Sequence, residues 1–124
     1  MPHIILEYSA NLYELPSFSA LFADIHQTLH REGGIRLENC KSRARMASHF
    51  YIADGHPNHS FIHLSIEFVK GRSQQTKRTI GQECLKLIKD YYQAQISDRL
   101  QITVKIDDIE LDYYFKHPEG SLSY

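Results

Sequence analysis

The chain has 124 residues, a formal net charge of −1 at pH 7 and 42% hydrophobic residues, which predicts one domain with a substantial core. The near-neutral charge argues against a general nucleic-acid-binding protein. No apolar run reaches the roughly 18 residues that a membrane span requires, and the short apolar start lacks the basic region of a signal peptide. Two cysteines, Cys40 and Cys84, are too few for a disulfide framework and match no zinc-binding spacing, so we expect a cytoplasmic protein.

The first half of the chain predicts a strand, a helix and a second strand. Residues 3–8 alternate in the manner of a strand with one apolar face. Pro16 suits the first turn of a helix, apolar residues then recur at helical spacing, and Gly33-Gly34 ends the helix. The extended segment that follows, about 35–52, places three cations on one of its faces: Lys41, Arg43 and Arg45.

The second half repeats this order of elements. Residues 61–69 predict a strand, and Gly71-Arg72-Ser73 predicts a turn in which Ser73 caps the next helix. Apolar residues at helical spacing continue over 80–91, and a further strand follows at Ile102, Val104 and Ile106. Residues 109–115 alternate again, which predicts a last short strand.

The two halves also match in sequence, because residues 4–8 align with residues 64–68 sixty positions later. We therefore expect one domain over 1–124, with pseudo-repeats at about 2–58 and 61–108. Tandem β-α-β units predict an α+β fold, in which a four-stranded mixed sheet carries both helices on one face. The other face then lacks a covering layer, and we expect apolar residues on it.

Proline is the second residue of the chain, where it has a possible chemical use. If Met1 is removed, Pro2 becomes a terminal secondary amine whose pKa begins at roughly 8. Burial and nearby cations lower such a pKa, and an amine tuned in this way can act as a general base near neutral pH. The alternative is that Pro2 only begins a strand, where its missing N–H costs nothing. Since Ile62 stands at the equivalent position, we expect one reactive site per chain.

Several short motifs, in this order, resemble the tautomerase superfamily and, within it, the 5-carboxymethyl-2-hydroxymuconate isomerase family. They are Pro2-His3 with residues 4–12, Ala53-Asp54-Gly55, Phe61-Ile62-His63 and Gly71-Arg72-Ser73. The resemblance covers nearly the whole chain. It implies a homotrimer whose open sheet faces turn inward, and an isomerase of homoprotocatechuate (4-hydroxyphenylacetate) catabolism. Pro2 would be the catalytic residue, and the substrate would be an unsaturated di- or tricarboxylate.

This chemistry sets simple requirements. Ketonisation of a 2-hydroxymuconate moves a proton from the enol oxygen to a distant carbon, so one base is sufficient and neither a metal nor a redox cofactor is needed. The substrate carboxylates need cations, for which the bidentate fork of arginine is best suited. The candidates are Arg72, Arg43, Lys41 and Arg45. Arg72 leads because it matches an arginine of the family's Gly-Arg-Ser turn, whereas relatives often carry arginine in place of Lys41.

Each of these assignments has an alternative. Arg72 also fits a residue that solvates the start of a helix, and the three cations of the extended segment fit an exposed strand face. His26 and His30, four apart on a helix, are spaced to share a metal but have no evident third ligand. Tyr113 and Phe115 fit the wall of a pocket, although aromatic residues at such spacing more often lie in a core or an interface.

Three alternatives also remain for the whole protein. One is a tautomerase-superfamily enzyme that acts on another unsaturated acid. The second is a cytokine-like binding protein, as in the macrophage migration inhibitory factor branch of the superfamily. The third is an interaction domain without catalytic chemistry.

Overall fold

The structure is a computed structural model that describes residues 1–12 and 17–118. Its strands and helices are β1 (His3–Ser9), α1 (Phe18–Gly33), β2 (Lys41–Ala47), β3 (Ser60–Val69), α2 (Gln74–Tyr91) and β4 (Leu100–Ile109). Short 3-10 turns follow three of them, at Leu37–Asn39, Gln93–Gln95 and Leu111–Tyr113. The predicted order of two β-α-β units is confirmed. Pro16, predicted to lie in the first helical turn, falls outside the described residues.

Both helices begin at a serine. The Ser17 hydroxyl accepts a hydrogen bond from the Ala20 N–H at 3.2 Å, and the Ser73 hydroxyl accepts one from the Thr76 N–H at 3.1 Å. At the end of α1, Gly34 has a φ of 64°, in the left-handed region that glycine enters without a steric penalty. The predicted cap at Ser73 and the predicted helix end at Gly33-Gly34 are therefore confirmed.

The four strands form one mixed sheet in the order β2-β1-β3-β4. Each β-α-β unit contributes a parallel pair, β1 with β2 and β3 with β4, and the two units meet through the antiparallel pair of β1 and β3. In that central pair His3 lies opposite Glu67, and Glu7 lies opposite His63. The two pairs are equivalent under the sixty-residue offset, because His3 corresponds to His63 and Glu7 to Glu67. The two central strands are therefore related by an approximate two-fold axis.

Both helices cover the same face of the sheet, as predicted. Alternate residues of the two central strands meet the apolar stripes of the helices in one core. Its fully buried members include Ile4, Leu6, Ile62, Leu64, Ile66 and Phe68 from the strands and Leu21, Ile25, Leu29, Ile80, Cys84 and Ile88 from the helices. Burial of one such aliphatic or aromatic side chain contributes roughly 1.5–3 kcal/mol, so a one-residue slip of a central strand would be costly.

The opposite face of the sheet is open and mostly polar. Most of its side chains on the outer strands are charged or hydrophilic. Its large apolar side chains include Ile5 and Phe61, both half-buried, and Ile109, which is buried at the end of β4. The expectation of an apolar open face is therefore wrong for most of its positions. The physical reason is the period-two alternation of β2 and β4, which turns their apolar residues toward the helices and leaves the polar ones outside.

The C-terminal segment predicted as a short strand takes a different form. Ile109 is the last residue of β4, and the next residues turn, with the Tyr113 N–H bonded to the Glu110 carbonyl and the Tyr114 N–H to the Leu111 carbonyl. Alternation predicts which side chains share a side of an extended segment, but it does not show whether a partner strand is present. The turn leads the chain back toward the beginning of β1.

Within the described residues, neither helix combines the length and the apolar character needed to cross a membrane.

Candidate active site

The beginning of the chain is buried at the end of the sheet where β1 starts. Met1 is 2% exposed, yet it is not a member of the core cluster beneath the helices. Its α-amino group donates a hydrogen bond to the Asn39 carbonyl oxygen at 2.9 Å, and the Lys41 ammonium donates to the same oxygen. The Lys41 backbone N–H also donates to the Pro2 carbonyl at 3.2 Å. The parallel pairing of β1 with β2 thus brings a cation beside the terminal amine.

This environment changes the acid–base behaviour of the amine. Burial, followed by the hydrogen bond and the charge of Lys41, lowers the pKa of the Met1 α-amino group from 8.0 to about 5. The Lys116 charge lowers this pKa further, so the C-terminal segment contributes to the same environment. An amine with a pKa of about 5 is mostly neutral at pH 7 and has a lone pair that can accept a proton.

The three predicted cations of β2 lie on the open face of the sheet, next to β1. Lys41 is opposite His3, Arg43 is opposite Ile5, and Arg45 is opposite Glu7, so their distance from the chain end increases in that order. The structure therefore brings Lys41 to the terminal amine, places Arg43 one step along the strand and leaves Arg45 farthest away.

The equivalent positions in the second half carry different charges. There the partners of His63, Ser65 and Glu67 on β4 are Thr103, Lys105 and Asp107. A row of three cations beside the central strand is therefore found in the first half, the half that also has Pro2. The two halves share a backbone plan, but they differ in the electrostatics of a candidate anion-binding site.

Arg72 lies at the same end of the sheet but on the side of the helices. Its Nε donates to the Gly33 carbonyl at 2.9 Å and its Nη1 to the Val69 carbonyl at 3.2 Å. The guanidinium also lies over the Phe68 ring, 5.3 Å from the ring centroid. Arg72 thus connects the end of α1 to the end of β3, which gives this residue a structural role.

A cavity of about 470 Å³ opens on the polar face near the beginning of β1. His3, Arg43 and Glu67 contribute to it from three neighbouring strands. The end of β4 and the C-terminal segment supply its remaining walls: Asp108, Ile109, Glu110, Tyr113 and Tyr114. Tyr113 therefore contributes to the rim of a cavity, whereas Phe115 is not among the residues that line it, and both side chains are mostly exposed. A second cavity of about 390 Å³, between α2 and β4, contains none of the predicted site residues.

His3 connects the cations of β2 to the C-terminal segment. Its Nδ1 lies 3.2 Å from Arg43 Nη1, and its Nε2 lies 2.8 Å from the Tyr114 hydroxyl. Because a guanidinium only donates, Nδ1 must accept, and Nε2 carries the proton of the neutral ring. Burial first, and then the charges of Lys41 and Arg43, lower the pKa of His3, which favours this neutral form.

The sequence did not identify the hydrogen-bond partners of His3. Tyr114 and Lys116 lie more than 110 positions from the beginning of the chain, and no spacing or motif connects them to it. The only local signal was the strand alternation, which puts His3 on the open face together with the cations.

The paired histidines of α1 engage separate partners. His26 Nε2 lies 2.7 Å from the Ser42 hydroxyl, and His30 Nδ1 lies 2.8 Å from the Ile35 carbonyl oxygen. Over residues 1–12 and 17–118, no three or more His, Cys, Asp or Glu side chains are grouped so that they could hold a metal ion.

Residues 2–119 match the family model of 5-carboxymethyl-2-hydroxymuconate isomerase. The chain is 29% identical over 117 residues to the 5-carboxymethyl-2-hydroxymuconate Delta-isomerase of Escherichia coli, covering 94% of this chain and 93% of that protein. A 5-carboxymethyl-2-hydroxymuconate isomerase from Deinococcus radiodurans R1 superposes with a TM-score of 0.83 at 26% identity, over 98% of this chain and 90% of that chain.

The structure described as "Q0 fused 4-OT wild type symmetric trimer" superposes with a TM-score of 0.77 at 11% identity, over 97% of this chain and 95% of that chain. The two proteins therefore have the same fold. The match to the family model spans nearly all of the sequence and both β-α-β units. The chain therefore belongs to the 5-carboxymethyl-2-hydroxymuconate isomerase family.

Proposed function

We propose that this protein converts 5-carboxymethyl-2-hydroxymuconate, a dienol, to its oxo-enoate isomer by moving a proton through the nitrogen of Pro2. The reaction uses no cofactor and belongs to homoprotocatechuate (4-hydroxyphenylacetate) catabolism in the cytoplasm. Membership of the isomerase family supports the reaction class. The observation that carries the mechanism is the position of the chain end beside Lys41, where burial first and then Lys41 lower the pKa of the Met1 α-amino group to about 5.

The mechanism requires that Met1 be removed, so that Pro2 takes over this environment. Removal would vacate the buried space that Met1 occupies outside the core and expose the Pro2 nitrogen to a substrate. The hydrogen bond from the Lys41 N–H to the Pro2 carbonyl keeps the cation at the new terminus. The neutral nitrogen would then take the proton of the enol oxygen and return it to the distant carbon.

Cations near the terminus serve two purposes in this scheme. Lys41 disfavours the protonated amine before the reaction, and together with Arg43 it attracts the carboxylates of the substrate. Arg43 lines the cavity, and Arg45 extends the same row of positive charge along β2. Arg72 stays a predicted carboxylate-binding residue, but its contacts with two backbone carbonyls support the structural alternative.

The first prediction concerns Pro2. Pro2→Ala should lower kcat/KM by roughly tenfold or more without unfolding the protein, because the remaining primary amine differs in basicity and geometry. An alanine inserted before Pro2 should abolish turnover, since an amide nitrogen is not a base. The measurement is a spectrophotometric ketonisation assay, with intact-protein mass spectrometry to establish whether Met1 has been removed. Unchanged kinetics in Pro2→Ala would remove the general-base assignment.

The second prediction concerns the pH dependence. Lys41 lowers the pKa of the Met1 α-amino group, and in the proposed mechanism it acts in the same way on the Pro2 amine that replaces it, so Lys41→Ala should raise the pKa of Pro2. As the pH falls, the raised pKa protonates the base earlier, and the acidic limb of kcat/KM moves to higher pH. The matched control is Lys105→Ala, which removes an exposed lysine on β4, at the position equivalent to Arg43. The assignment fails if the limb stays in place in Lys41→Ala or moves equally in both variants.

The third prediction separates the two roles of Arg72. Arg72→Ala removes hydrogen bonds to two carbonyls, so urea unfolding at a fixed protein concentration should show a loss of about 1–3 kcal/mol. If Arg72 also binds a carboxylate, kcat/KM should fall roughly ten- to a hundredfold for a dicarboxylate and little for a neutral enol. Arg72→Lys should recover only part of this loss. Equal effects on both substrates would show that Arg72 has only the structural role.

The fourth prediction concerns assembly. The open sheet face and the likeness to a protein described as a symmetric trimer support a homotrimer of this chain. We expect light scattering at micromolar concentration to give about three times 14.5 kDa. Because this face carries cations and carboxylates, contacts across it should be partly ionic, and salt should weaken the assembly. A monomer under low-salt conditions would contradict the proposed assembly.

A further inference from the structure

The C-terminal segment, residues 111–116, is tied to the beginning of β1 by the side chain of Tyr114. The Tyr114 hydroxyl lies 2.8 Å from His3 Nε2, and the two rings meet edge to face with centroids 6.1 Å apart. Two residues farther on, Lys116 lies close enough to the terminal amine for its charge to act there. Tyr114 is half-buried and lines the cavity together with His3, the residue that follows Pro2 in the chain.

The order of donors and acceptors determines where the Tyr114 proton points. Arg43 donates to His3 Nδ1, so the Nε2–H of His3 donates to the Tyr114 oxygen. The Tyr114 oxygen is therefore an acceptor toward His3, and its own O–H must be directed to another group. Arg43 and Tyr114 both line the cavity, so the chain of hydrogen bonds begins and ends there.

Two of the three carboxylates that line the cavity have cationic partners of their own. Glu110 lies 3.2 Å from Lys70, and Asp108 lies 3.3 Å from Lys77. Their negative charge is thereby partly balanced, which reduces the repulsion that an anionic substrate would meet in this cavity. The balance also makes these two groups weaker competitors for the Tyr114 proton.

We propose that Tyr114 is a substrate-contacting residue of this site, which donates its hydroxyl hydrogen bond to the dienolate oxygen formed when the enol loses its proton. His3 is then a positioning residue, which holds the Tyr114 hydroxyl in the donating orientation. This inference rests on the proposed function and adds a donor to the proposed base. Tyr114 transfers no proton, since the proton that Pro2 removes from oxygen is the one it returns to carbon.

The physical advantage is that the charge on oxygen exists only during the reaction. A hydrogen bond to an ionised oxygen is roughly twice as strong as one to a neutral oxygen, so the contact strengthens as the dienolate forms. The base is Pro2, and the donor Tyr114 is held by His3, the next residue in the chain. The strand that carries the base therefore also fixes the position of the donor.

The test compares variants that keep the ring but change the hydrogen bond. Tyr114→Phe should lower kcat for 5-carboxymethyl-2-hydroxymuconate by roughly ten- to a hundredfold and change KM little, because the lost contact stabilises the transition state. His3→Leu should cause a comparable loss. His3→Gln should retain most of the activity, since its amide can accept from Arg43 and donate to Tyr114. Tyr91→Phe is the matched control, because it removes a hydroxyl bonded to Asp24 at 2.6 Å, between the two helices.

The outcomes are distinguishable. If the wild-type protein is active and Tyr114→Phe has an unchanged kcat, the role of Tyr114 is overturned while the proposed function stands. A loss confined to KM, or an equal loss in Tyr91→Phe, also overturns it. A wild-type protein that converts no dienol overturns the proposed function and this inference together. If circular dichroism shows that Tyr114→Phe does not fold, the activities of His3→Leu and His3→Gln are compared instead. Equal activity of those two variants overturns the inference.

Discussion

The environment of the chain end depends on one shared acceptor, the Asn39 carbonyl oxygen, which binds both the α-amino group of Met1 and the Lys41 ammonium. Two like charges held so close disfavour the protonated amine, and burial adds to the effect. The parallel pairing of β1 with β2 sets this contact, and the core beneath the sheet maintains the pairing. A slip by one residue would turn the cations of β2 toward the helices and bury them there.

The fold is duplicated, but the candidate site is not. The central strands repeat a His–Glu pair across the approximate two-fold relation, and both units place a helix over the same core. What breaks the symmetry is the chain end at β1, the cations of β2 and the C-terminal segment that reaches His3. His63, the equivalent of His3, instead pairs with the Thr103 hydroxyl at 2.6 Å. Duplication supplies a stable sheet, and the chain end, the cations of β2 and the C-terminal segment add the groups that suit acid–base chemistry.

The two kinds of arginine in this molecule illustrate a limit of motifs. Arg72 and Arg43 were both candidates for binding a carboxylate, and both lie at the same end of the sheet. Backbone carbonyls occupy the Nε and Nη1 of Arg72, whereas Arg43 lines the cavity and donates to a neutral histidine. A guanidinium binds a carbonyl and a carboxylate through the same N–H groups, so a short motif does not distinguish the two uses.

The sequence by itself determined the four strands of the sheet, the two helices, the cap at Ser73, the side of β2 that carries the cations and the family. These features depend on periodicity and on chemistry between near neighbours, which the order of residues records directly. Only the tertiary structure decided that Asn39 joins Lys41 to the terminal amine, that the open face is polar, and that Tyr114 reaches His3 across 111 positions. Such contacts depend on where the folded chain returns, and neither the spacing nor the composition of the sequence specifies that path.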